Sequence, residues 1–201
     1  DSVRPVIGLE VSGGADIWHK EAAEVVVEAS DGSNGSQIAE IVCKTGEKIV
    51  GKSSKGAEKF VITESSQNGE STPVTIIVTD YAGNQTVVTD RVFVDRDAPK
   101  ALIQGVEDYT ITSKPVQVSY LAEEENVIQT VRANILKEDI DGKKEETEIT
   151  EWKTKSRNES GDTKKESVQT LAEDGLYKLR MNVTDMAGNV SHAERQLIID
   201  K

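Results

Sequence analysis

Aspartate stands twice in nearly the same phrase: VTDYAGN carries Asp80 and VTDMAGN carries Asp185, 105 residues further on. A carboxylate can exchange protons in catalysis, ligate a hard cation, or accept hydrogen bonds from free N–H groups where the chain reverses. Catalysis would need partner groups, and none is in view. His19 and His192 are the only histidines, and neither has Cys or His neighbours at metal-ligand spacing. Cys43, the single cysteine, lies on the alternating stretch Ala39, Ile41, Cys43 and reads as a small apolar strand residue. Walker, G-x-G-x-x-G, H-E-x-x-H and G-x-S-x-G motifs are absent. DIDGKKEE, from Asp139, lacks the full spacing of a calcium loop and reads as a charged loop. The expectation is a non-enzyme with no catalytic residue, metal ligand or cofactor.

The turn role suits the neighbouring residues. Gly83 and Gly188 can take positive φ without a Cβ clash, Asn84 and Asn189 tolerate it, and Ala82 and Ala187 are small enough to sit under the carboxylate. Asp80, Gly83, Asn84, Asp185, Gly188 and Asn189 are therefore the expected structural turn residues. The turn must close two strands. Val74, Ile76 and Val78 alternate with Thr75, Ile77 and Thr79, and Tyr177, Leu179, Met181 and Val183 alternate with polar residues in the same register. Period two means a strand with one buried face. Ala23, Val25, Val27 and Ala29 repeat the pattern, as do Val116, Val118 and Tyr120. Long helical periodicity is absent.

The phrase is part of a longer repeat. VFVDRDAP parallels QLIIDK, and Pro5 in RPVIGLEV parallels Pro99 in APKALIQG. Two copies of one module are expected, at 1–97 and 98–201, the second with a polar insertion near 137–163. The predicted fold is all-β: two tandem immunoglobulin-like antiparallel β-sandwiches joined by a short linker containing Pro99. The formal net charge is −12. Acid predominates in both copies, which disfavours nucleic acid and anionic membrane surfaces. No run of about 18 apolar residues suggests membrane insertion.

DGLYKLRMNVTDMAGNVS followed by QLIIDK resembles the C-terminal half of a bacterial immunoglobulin-like domain, with a D-G-x-Y corner at Gly175 and Tyr177. The first copy matches in VTIIVTDYAGNQT and VFVDRDAP but has NGESTPVTII where the corner would be. The resemblance implies an extracellular setting at a bacterial cell surface, as a monomeric segment of a longer chain. It implies a non-catalytic spacer or adhesive segment of a surface or secreted multidomain protein, with an unknown protein or glycan ligand.

Two alternatives carry residues of their own. Trp18 or Trp152, if exposed on a flat face, would suit a carbohydrate-binding accessory module. Asp95 and Asp97 lie between the copies, where cadherin-like proteins gather carboxylates around calcium. Asp16 or Glu107 would have to converge on them, because Ca2+ takes six to eight oxygens. That would make a calcium-stiffened adhesion repeat.

Overall fold

Alternation becomes strand along the whole computed structural model, which describes residues 1–201. The chain divides into two units, Asp1–Arg96 and Asp97–Lys201, with no helix in either. In the first, β1 (Val6–Val11), β2 (Trp18–His19), β3 (Ala23–Ser30), β4 (Ile38–Thr45), β5 (Lys48–Ser53), β6 (Ala57–Ile62), β7 (Thr72–Asp80) and β8 (Gln85–Val94) follow in order. They form sheets β1-β3-β6 and β2-β8-β7-β4-β5. In the second, β9 (Lys100–Gln104), β10 (Thr110–Thr112), β11 (Val116–Glu123), β12 (Ile128–Glu138), β13 (Lys144–Ile149), β14 (Lys153–Asn158), β15 (Gly161–Leu171), β16 (Gly175–Asp185) and β17 (Val190–Ile199) form sheets β14-β15-β11-β9 and β10-β17-β16-β12-β13.

Each unit is a two-sheet sandwich whose inner faces are the periodic residues of the sequence. Val25, Val27, Ile41, Val74, Ile76 and Val78 are fully buried in the first core; Val118, Tyr120, Leu179, Val183 and Leu197 are in the second. Each such side chain contributes about 1.5–3 kcal/mol by leaving water. All pairings are antiparallel except one per unit: β2 runs parallel to β8, and β10 to β17.

The polar stretch near 137–163 is mostly strand. It supplies the end of β12, all of β13 and β14, and the start of β15. Its composition misled because β13 and β14 are almost wholly exposed; Ile149 enters the core and Trp152 packs against it. Cross-strand pairs hold these strands: Lys144 with Glu138 at 3.5 Å, Lys155 with Glu166 at 3.1 Å and Arg157 with Asp162 at 3.2 Å. Exposed pairs contribute about 0–1 kcal/mol each. Lys153, Lys155 and Arg157 on the β14 edge also discourage edge-to-edge pairing with other chains.

Tyr177, near the start of β16, is buried, and its hydroxyl donates to the Glu173 carbonyl at 2.7 Å. The first unit closes the corresponding corner with hydroxyls. Thr72 Oγ1 lies 2.9 Å from Ser66 Oγ, and the buried Ser66 donates its N–H to the Val94 carbonyl at 2.7 Å and accepts the Val94 N–H on its Oγ at 3.2 Å. Thr72 faces Val92 as Tyr177 faces Leu197, so a hydroxyl of NGESTPVTII stands where the second unit has its corner tyrosine.

Tyr177→Phe removes one neutral hydrogen bond and should cost the second unit about 0.5–1.5 kcal/mol in chemical denaturation, leaving the first unit's transition unmoved. Acid should also act on the second unit. The Ser119 hydroxyl and the Lys155 ammonium hold the Glu166 carboxyl below its usual value, and Arg180 does the same for Glu194. A depressed folded-state pKa contributes stability that is full above about pH 4.3, the ordinary glutamate value, and lost as pH falls through the lower folded value. The urea midpoint should stay level from neutral pH to about pH 5 and then fall. A midpoint unchanged at pH 3 would contradict these bonds.

Candidate functional site

The β7–β8 and β16–β17 hairpins reverse through the repeated phrase with nearly superposable hydrogen bonds. In the first, the Asp80 N–H donates to the Asn84 carbonyl at 3.1 Å and the Gly83 N–H to the Asp80 carbonyl at 3.2 Å. The Asn84 N–H and Nδ2 donate to the two Asp80 carboxylate oxygens, each at 2.8 Å. In the second, Asp185 and Asn189 repeat all four bonds, and the Ala187 N–H adds one to Asp185 Oδ1 at 2.9 Å. Gly83 and Gly188 both have φ of +87°. Asp80 and Asp185 are 2% and 0% exposed. Burial pushes the Asp80 carboxyl up, but the side-chain and backbone donors of Asn84, with the neighbouring turn amides, outweigh it and leave the group below the usual carboxylate range.

Two details differ from the sequence expectation. Asn84 and Asn189 do not adopt positive φ; each is present as a double donor to the aspartate. Ala82 does not sit beneath the carboxylate but is exposed, its N–H bonded to Ser36 Oγ at 2.9 Å. DIDGK, in the β12–β13 hairpin, makes the same turn. Asp139 Oδ1 accepts the Asp141 and Lys143 N–H groups at 3.0 and 2.8 Å, and Gly142 has φ of +77°. An aspartate followed by glycine three residues on thus builds this reversal from backbone donors, which gives the charged loop a structural purpose.

The end of the sandwich holds acids that the sequence pattern does not mark. Asp31, the first residue after β3, is buried, and its Oδ2 accepts the Gln37 N–H at 3.0 Å. Glu124, the first residue after β11, is also buried and accepts the Asn126 N–H at 3.0 Å. The Tyr81 N–H bonds to the Gln37 carbonyl, and the Met186 N–H to the Val127 carbonyl, so loop and turn are tied together alike in both units. Before β1, the carbonyls of Asp1 and Val3 accept from Asn84 Nδ2 at 3.4 and 2.9 Å.

Cys43, His19, Asp16 and Glu107 belong to neither acidic group. Cys43 is fully buried, and burial pushes its thiol up to about 11, so it is protonated and inert. His19 Nε2 contacts the Gly14 carbonyl at 3.3 Å. Trp18 is half-buried with its ring 4.9 Å from that of Phe93; Trp152 is half-buried with Nε1 donating to the Ile149 carbonyl at 3.3 Å. Asp16 is paired with Arg91, whose Nε lies 3.0 Å away, and Glu107 is exposed, its carbonyl accepting from Thr110.

The turns differ in one testable respect. Asn189 adds a side-chain donor to a buried carboxylate, whereas Lys143 offers the Asp139 carboxylate only its backbone N–H. Asn189→Ala should cost the second unit about 1.5–3 kcal/mol, the range for bonds to charged groups. Lys143→Ala should stay within about 0.5 kcal/mol. Equal costs in denaturant titrations would contradict this difference.

The model of the bacterial Ig-like domain family matches residues 22–96 and again 116–201. No curated protein matches the sequence. Solved structures similar to it include fibronectin(III)-like modules of Clostridium thermocellum CbhA, at 10% identity over 97% of this chain and 94% of that one, with a TM-score of 0.37. The three N-terminal domains of the bacteriophage RB49 outer capsid protein Hoc share 10% identity over 98% and 71%, TM-score 0.45. A carbohydrate-binding module of the β-sandwich superfamily shares 13% over 98% and 96%, TM-score 0.37. At these values the structural likenesses carry no functional inference.

Proposed function

The chain belongs to the bacterial Ig-like domain family, in two tandem copies, and from that premise we propose that it is a non-catalytic, load-bearing spacer of a bacterial surface or secreted multidomain protein. Domains of this family are generally non-catalytic. In keeping with that, the only thiol is buried and protonated, and His19 has no acid or nucleophile among its hydrogen-bond partners. Both tryptophans are half-buried: Trp152 packs against the second core and Trp18 lies beside the Phe93 ring.

What supports the spacer reading is the parallel pair in each unit. Trp18 and His19 lie beside Phe93 and Val94; Thr110, Ile111 and Thr112 lie beside Leu197, Ile198 and Ile199. Flanking bonds extend both pairs: Asp95 N–H to His19 carbonyl in the first, Tyr109 N–H to Gln196 carbonyl and Asp200 N–H to Thr112 carbonyl in the second. The entering and leaving strands of a unit therefore point the same way. Tension applied through the chain shears their hydrogen bonds together instead of peeling them one at a time. β1 and β9 meanwhile bind the entering segment to the opposite sheet through β3 and β11.

Single-molecule stretching of the chain from its two ends tests this. Two separate force peaks are expected, each releasing roughly 300 Å, from about 100 residues at ~3.3–3.6 Å per residue less the folded length. Extension without resolved peaks would rule out a load-bearing role.

A further inference from the structure

In the first unit, one carboxylate oxygen from each of Asp1, Asp31 and Asp80 lies within 4.8 Å of the other two. The unit's lysine and arginine ion pairs go elsewhere, to Glu64, Glu40, Glu24 and Asp16. Turn chemistry accounts for Asp80, whose oxygens both accept from Asn84. It does not account for Asp31. That side chain is 5% exposed; its Oδ2 takes the Gln37 N–H, and its Oδ1 is buried with no hydrogen-bond partner. A buried carboxylate oxygen without a donor, beside two further carboxylates, calls for a cation.

We propose that Asp1, Asp31 and Asp80 form a calcium-class divalent cation site at this end of the first unit. The donors are all oxygen, with no thiol or imidazole, which selects a hard cation over zinc or copper. They come from three separate places: the segment before β1, the loop after β3 and the end of β7. Such a set suits Ca2+, which accepts six to eight oxygens in irregular geometry, better than Mg2+, which demands a near-ideal octahedron. Asp80 retains lone pairs beyond those its turn uses. Asp1 is already held at the turn through its carbonyl and through Asn84 Nδ2.

The second unit repeats the two buried positions. Glu124 follows β11 as Asp31 follows β3, Asp185 ends β16 as Asp80 ends β7, and carboxylate oxygens of Glu124 and Asp185 lie within 4.8 Å of each other. A different acid, on a loop of different length, arrives beside the same turn. The Asp139 turn belongs to neither acidic group, so the turn alone does not bring a second acid to its side. The proposal is independent of the spacer role: a chain that bears no load would still bind the ion.

Calorimetry with CaCl2 in metal-free buffer, read together with amide NMR shifts, tests it. Saturable binding is expected, with the Gln37 and Asn84 amides among those that move. Asp31→Asn keeps an acceptor for Gln37 and should weaken the Ca2+ response at those amides at least tenfold. In EDTA that variant should melt no lower than the parent chain, since one of three crowded like charges is gone; a purely structural Asp31 would lower the melting temperature. Asp1→Asn, at an exposed position that cannot unfold the core, should lose Ca2+ affinity comparably. No shift at Gln37 and Asn84 up to about 10 mM Ca2+, well above the ~10⁻³ M limit of extracellular calcium modules, overturns the proposal. So does unchanged affinity in both variants, or MgCl2 binding as tightly as CaCl2.

Discussion

A carboxylate buried at the end of a strand must find hydrogen-bond donors, and the rest of each unit is arranged around that need. Asp80 and Asp185 stand on the inward register of β7 and β16, in line with the core residues Val74, Ile76 and Val78 and with Leu179, Met181 and Val183. Their donors are the N–H groups freed by the reversal itself, so burial of the acid and closure of the hairpin are a single requirement. Glycine at the positive-φ position lets the chain return within reach, and asparagine brings a second donor.

The consequences extend beyond the hairpin. Asp80 pairs with Ile38 and Asp185 with Ile128, and in both units the register of the facing strand shifts by one residue immediately beyond that pair. The shift lets Gln37 and Val127 present carbonyls to the residue after the aspartate. The loop between the two sheets is thereby tied to the turn, and its leading acid, Asp31 or Glu124, is delivered to the side of the buried aspartate. At the other end of the same hairpin, β8 and β17 provide the edge on which the short parallel strands β2 and β10 lie. One hairpin thus organises both the acidic end and the load-bearing edge of its unit.

Most of this framework was legible as periodicity. The alternating residues of β3, β7, β11 and β16 need only a buried face, and their registers follow from which residues are apolar. Three features were not legible, each for a physical reason. β2 and β10 are two and three residues long, too short for a period to show. β13 and β14 are exposed on both faces over nearly all their length, Ile149 excepted, so polarity hid strands that cross-strand charge pairs sustain. Asp31 and Glu124 are equivalent in topology but differ in residue type, and the loops they begin differ in length, so no fixed offset joins them. The roles of Asn84 and Ala82 depended on where their backbone groups point, which composition does not encode.

The central claim is that the buried aspartate fixes the turn as firmly as the strands it joins. Native-state hydrogen exchange of the Asn84 and Asn189 amides tests it most directly. If the carboxylates hold these amides, they will exchange only with global opening of their unit, at free energies matching those of neighbouring β7 and β16 amides. Exchange at the rate of an exposed loop, while the flanking strands stay protected, would contradict it.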